Sequence, residues 1–155
     1  MIKFLFKISI FIIAILGLFI TYGVLNGASC QYTISMRIDN GNRDMFMTCY
    51  RGKVVAILSK TDEDGSILSK WQLNANQLRF GNQSIFVVQS RIPLIEGKRN
   101  DENDLFNQLS SGYSLMFYYI QRHKDNVYLF YTFPRYAIHK GKIEGRLDLW
   151  DNASE

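Results

Sequence analysis

The stretch from Leu115 to Phe133, Leu-Met-Phe-Tyr-Tyr-Ile-Gln-Arg-His-Lys-Asp-Asn-Val-Tyr-Leu-Phe-Tyr-Thr-Phe, constrains this chain more than any other. Two apolar, aromatic, β-prone runs flank the polar segment Gln121 to Asn126, the pattern of a hairpin. Alternation across a strand puts Leu115, Phe117 and Tyr119 on one face and Met116, Tyr118 and Ile120 on the other. In the return run, Val127, Leu129, Tyr131 and Phe133 lie opposite Tyr128, Phe130 and Thr132. Both faces of this ribbon are therefore apolar or aromatic, and neither can be left in water. One face must be core; the other must meet a second layer, a ligand or a partner protein.

The rest of the chain supports a folded β-rich domain. Of 155 residues, 47% are hydrophobic and 14% aromatic, which excludes a disordered polypeptide. There is room for one domain once the N-terminus is set aside. The formal charge of +4 includes Lys3 and Lys7 of the N-terminal segment, and the remainder carries 16 basic against 14 acidic residues. No basic run is long enough to track phosphates, so direct nucleic-acid binding is not expected.

After Met-Ile-Lys-Phe-Leu-Phe-Lys the chain runs from Ile8 through Leu16 to Leu25 without a charge. At about 1.5 Å per residue, such a helix crosses most of a bilayer core of roughly 30 Å. An uncleaved anchor over 1–29 is the leading reading. Gly27-Ala28-Ser29 also fits a signal-peptidase site, and Cys30 directly after it fits lipoprotein processing except for Gly27, where an aliphatic residue is usual. All three readings export residues from about 30 onward, with Lys3 and Lys7 left in the cytoplasm. In a bacterium this gives a single-pass inner-membrane protein with a periplasmic domain. Cys30 and Cys49 are the only cysteines, and an oxidising compartment favours their pairing. That disulfide closes a loop of about 20 residues, worth about 3 kcal/mol in the chain-entropy account.

From Cys30 the pattern is a meander. Tyr32, Ile34, Met36 and Ile38 share one strand face, and Asp39-Asn40-Gly41-Asn42 is a turn. Met45 to Tyr50 and Val54 to Lys60 follow around Arg51-Gly52-Lys53. Asp62 to Gly65 turns into Ile67 to Leu73, with Ile67, Ser69, Trp71 and Leu73 together. Leu78 to Phe80 reads as a shorter strand, and Ser84 to Ile92 as a strong one ended by Pro93. Glu96 to Asp104 is a charged loop, after which Asn103 or Asp104 caps a short helix carrying Leu105, Phe106 and Leu109. Beyond Ile138 the chain thins through Gly141 and Gly145 into an acidic end. The expected organisation is an anchor over 1–29, a β domain over 30–140 and a polar tail over 141–155. The expected fold is mainly β with one short helix, an antiparallel meander forming a small barrel or strongly curved sheet.

Motifs for chemistry are missing. His123 sits in a turn between cations and His139 lies beside Lys140; both read as exposed, without the neighbours of a metal ligand or general base. Asp62, Glu63 and Asp64 read as a turn, and Asp101, Glu102 and Asp104 as helix-start charge. No nucleophile elbow, Walker loop or dinucleotide fingerprint occurs, so neither an enzyme nor a cofactor is expected. The aromatic residues are more suggestive. Trp71, Phe86, Phe117, Tyr119, Tyr128, Phe130, Tyr131 and Phe133 are candidates to line a barrel interior or a partner face. A barrel of about eight strands fills itself with side chains or holds one small ligand, and both readings stand.

The order of these features, a lysine-flanked anchor, a Cys just outside it, Asp-Gly turns, an Asn-Asp-rich loop before Leu105-Phe106 and the aromatic hairpin, resembles the FidL-like small inner-membrane proteins of enteric bacteria. Those in turn look like counterparts of the accessory proteins ToxS, PsaF and VtrC. The resemblance implies a heterodimeric partner, a membrane-spanning winged-helix transcription activator whose exported domain the accessory chain binds and stabilises. It also implies that the two partners form a joint lipocalin-like barrel, whose shared apolar cavity takes an amphipathic ligand such as a bile salt or fatty acid. A stand-alone binding barrel and an inner-membrane-anchored immunity or inhibitor protein are the alternatives.

Overall fold

The computed structural model describes residues 2–38, 42–62, 64–96, 112–131 and 136–151. One helix, α1 (Ile2–Ala28), precedes eight strands: β1 (Gln31–Ile38), β2 (Arg43–Tyr50), β3 (Lys53–Thr61), β4 (Ile67–Phe80), β5 (Gln83–Ile95), β6 (Leu115–His123), β7 (Asn126–Tyr131) and β8 (Ala137–Arg146). The helix is long and apolar enough to cross a membrane, and Ile8, Leu16 and Leu25 are exposed along it.

Every strand pairs antiparallel with its sequence neighbour, and β8 returns to β1, so the sheet closes into a barrel with no terminal edge. The expectation of a small antiparallel barrel is met. Alternation does the sorting. Tyr32, Ile34, Met36 and Ile38 point inward from β1, as do Met45, Met47 and Cys49 from β2. Each fully buried Leu, Ile or Phe in this lumen contributes about 1.5–3 kcal/mol. Cys30 and Cys49 are joined, their Cα atoms 5.7 Å apart, which ties the start of β1 to the end of β2. The β2–β3 turn uses positive φ at both Arg51 and Gly52, the hairpin geometry that matches strand twist.

Three expectations are corrected. The two strands read over Ile67 to Phe80 are one, and Pro93 does not end β5, which runs to Ile95 with Pro93 beside Trp71. Proline is tolerated there because β5 beyond Val88 pairs only with β4 among the described residues. The polar tail expected from residue 141 is, as far as Arg146, the strand that closes the ring. Its glycines belong to that closure. A Cβ on Gly145 would collide with the Gln31 carbonyl, and its φ is +86°. Leu147 and Asp148 then turn under the barrel and are buried. The short helix expected from Asn103 or Asp104 lies outside the described residues, as do the Asp39 to Gly41 part of the first turn and Phe133.

Candidate functional site

The two ends of the lumen differ in character. At the end nearer α1, polar side chains are packed against one another, and of their buried groups the Gln77 amide nitrogen alone lacks a partner among the described residues. The Tyr32 hydroxyl donates to Gln77 Oε1 at 2.7 Å, and burial pushes this phenol well above its ordinary pKa, with nearby Arg79 partly opposing. Arg79 forms an ion pair with Asp148 and donates to Ser84 Oγ at 2.8 Å. This end is a plug.

Toward the opposite end the lumen is apolar and holds a cavity of about 70 Å³. Met45 and Met47 from β2, Ala56 and Leu58 from β3, Trp71 and Leu73 from β4, Phe86 from β5 and Leu129 from β7 form its wall. Tyr118 leans on Phe86 with ring centroids 5.3 Å apart and meets Tyr131 edge-on at 6.1 Å. Cationic groups sit in the same lining. Arg43 is half-buried there, and Arg91 reaches in from β5 with Nη2 3.0 Å from Met116 Sδ. Burial lowers the Arg91 pKa and the Tyr118 phenol partly offsets this, yet a guanidinium stays protonated in proteins. Burial likewise raises the Tyr118 phenol, with Arg91 opposing and Tyr131 adding to the rise. The Trp71 indole N–H is buried with no hydrogen-bond acceptor. An apolar slot with two cations and a spare donor suits a ligand with a hydrocarbon tail and an anionic head.

Size narrows this. The cavity is small, with room for a slender chain. A fused-ring steroid needs the wall to open.

The sequence-derived candidates divide by strand alternation. Trp71, Phe86 and Tyr131 line the cavity. Phe117, Tyr119, Tyr128 and Phe130 do not; they alternate with buried neighbours and face outward. There they join neighbours across four strands. Phe117 is paired with Ile85, Leu115 with Val87, Tyr119 with Phe130, and Phe130 with Ile138. Leu115, Phe117 and Tyr119 are 47%, 57% and 42% exposed. Tyr119 and Phe130 stack edge-on at 5.6 Å. The result is a contiguous apolar face over β5–β8, the second side of the ribbon that opened the sequence argument.

Sequence reasoning missed four contributors to the lumen: Arg43, Arg91, Tyr118 and His139. His139, expected to be exposed, is half-buried on the inward side of β8, its Nε2 2.8 Å from the Tyr131 hydroxyl. Period-two counting through β8 would have placed it there had that strand been recognised. Among the described residues no group of three His, Cys, Asp or Glu side chains converges as a metal site. No protein-family model matches the sequence, and no curated protein matches it.

Proposed function

We propose that this chain is a membrane-anchored accessory protein whose exported barrel binds and stabilises the exported domain of a membrane-spanning winged-helix transcription regulator. In this reading α1 is a single inner-membrane span, Lys3 and Lys7 are cytoplasmic, and the barrel is periplasmic. The observation that carries it is the outward apolar face of Ile85, Leu115, Phe117, Tyr119, Phe130 and Ile138. Monomeric soluble domains rarely leave such a contiguous surface uncovered. The cavity adds a ligand role: a single-chain amphiphile, tail in the lumen and anionic head near Arg43 and Arg91.

The test is to mix the full-length chain in detergent with the exported domain of a membrane-spanning winged-helix regulator from the same organism. The barrel's melting temperature rises by several degrees, as linkage to a partner that binds only the folded state requires. Phe117→Asp removes the rise while leaving the barrel's own melting point in place. Identical melting with and without the regulator domain would count decisively against this reading.

A second reading, a self-sufficient binding barrel, is favoured by one observation: the ring closes and the cavity is complete within one chain. Under that reading a hydrophobic dye binds the chain alone, a fatty acid displaces it, and Phe117→Asp changes nothing.

A further inference from the structure

The helix does not leave the barrel on a loose tether. Only Ser29 and Cys30 separate α1 from β1, and the helix flank packs on the end of β4. Phe80 stacks on Phe19 with ring centroids 4.6 Å apart and reaches Tyr22 at 6.5 Å. Gly23 and Gly27 make this approach possible: a Cβ on Gly23 would strike the Phe80 ring, and one on Gly27 the Gln77 carbonyl. Asn26 is fully buried and links three elements, donating to the Arg79 carbonyl at 3.2 Å and accepting from the Leu149 N–H at 3.3 Å.

Helix geometry then sets the level of Phe80. A bilayer core of about 30 Å takes roughly 20 helical residues. Counted from Phe4 that span ends near Gly23, and counted from Ile8 near Gly27. Either way Phe19 lies inside it, and the Phe80 ring lies beside Phe19. Around the same level the C-terminal segment carries Leu149 and Trp150, 54% and 72% exposed, next to Asn26. Tyr50 is exposed at the adjoining β2–β3 turn. Charge agrees. With Arg79 paired to Asp148 and Arg122 to Asp151, the rim of this end presents Arg51, Lys53, Lys124 and Arg146 against Asp125 and Glu144. An aromatic layer with cations above it is how proteins meet the boundary between hydrocarbon and phosphate.

We propose that this end of the barrel is seated on the phospholipid surface, with Phe80 and Trp150 in the interfacial layer and the cavity held facing away from the membrane. The β4–β5 turn reaches the hydrocarbon boundary beside Phe80, where its Asn82 carbonyl is taken by the Ile120 N–H at 2.8 Å. The barrel thus moves with the helix as one body. This inference rests on α1 spanning the membrane and on no partner.

Trp71 and Trp150 are the only tryptophans, one lining the cavity and one at the helix end, so each serves as a single reporter. The full chain is placed in phosphatidylcholine–phosphatidylglycerol vesicles containing lipids spin-labelled near the head of the acyl chain. With Trp71→Phe, the remaining Trp150 emission is quenched severalfold more than the Trp71 emission in the Trp150→Phe variant. Phe11→Trp added to both substitutions reports the span itself and is quenched as well. Quenching of that reporter with Trp150 no more quenched than Trp71 overturns the seating while leaving the anchor intact. Absence of quenching from all three overturns the span and the seating together. Neither outcome bears on the regulator-binding face.

Discussion

Arg79 on β4 and Asp148 beyond β8 form an ion pair inside the helix end of the barrel, their side chains only 3% and 10% exposed. The pair closes a chain of contacts from Asn26 through the Arg79 carbonyl to the segment under the barrel, where Trp150 N–H also bonds Asp148 Oδ1 at 2.8 Å. Removing one partner leaves the other charge buried. Asp148→Asn is expected to cost about 3–5 kcal/mol, read as a drop in the urea midpoint. Replacing both, Arg79→Met with Asp148→Leu, is expected to cost less than the single change. A near-neutral Asp148→Asn would show the pair to be solvated.

The Cys30–Cys49 bond lies where β1 emerges from the helix. Reduction, or Cys49→Ser, is expected to lower stability by about 3 kcal/mol through the unfolded state, with the β-sheet circular dichroism of the native state preserved. Unchanged stability under reductant would refute a stabilising role for the bond.

Alkaline pH should loosen the barrel through Tyr32 and Tyr118. Burial raises both phenols above the value of about 10 they have in the unfolded chain. The unfolded chain therefore gives up these protons first. Their contribution is fully present below about pH 10 and is lost as pH rises beyond it, by about 1.4 kcal/mol per phenol per pH unit. A urea midpoint measured at rising pH is expected to be flat to about pH 9 and to fall steeply after about pH 10. A midpoint that stays level at about pH 11 would mean that neither hydroxyl is buried.

Much of this architecture is legible in the sequence, and what is not has a physical reason. Strict alternation in β1 fixes Tyr32, Ile34, Met36 and Ile38 as core without help from elsewhere. In β6 and β7 alternation separates two faces but cannot say which is inward, because Phe117 and Tyr119 are as apolar as Met116 and Tyr118. Neighbouring strands decide that, and they turn Phe117, Tyr119, Tyr128 and Phe130 out. Gly141 and Gly145 look like a fraying tail when read alone; beside β1 they are positions where backbones approach too closely for a Cβ. Asp148 looks like part of an acidic end until Arg79 is seen across from it.

The ligand reading has its own check in Ala56, which is buried on β3 and lines the cavity. Ala56→Leu fills the slot at a cost of about 1–3 kcal/mol for overpacking. Binding of a fluorescent fatty acid to the full-length chain is expected to fall sharply, while the fold survives. Undiminished binding would place the amphiphile elsewhere than the lumen.

The most direct test is which side of the barrel, if either, meets the proposed regulator partner. Phe117 on β6 and Phe46 on β2 are similarly exposed, at 57% and 46%, and lie on strands halfway round the ring from one another. A photo-crosslinking phenylalanine analogue is placed at each position of the full-length chain, in membranes that also contain the regulator. The expected result is a crosslinked pair from position 117 and none from position 46. Crosslinking from 46 alone, or from neither, would contradict the assignment of the β5–β8 face as the partner surface.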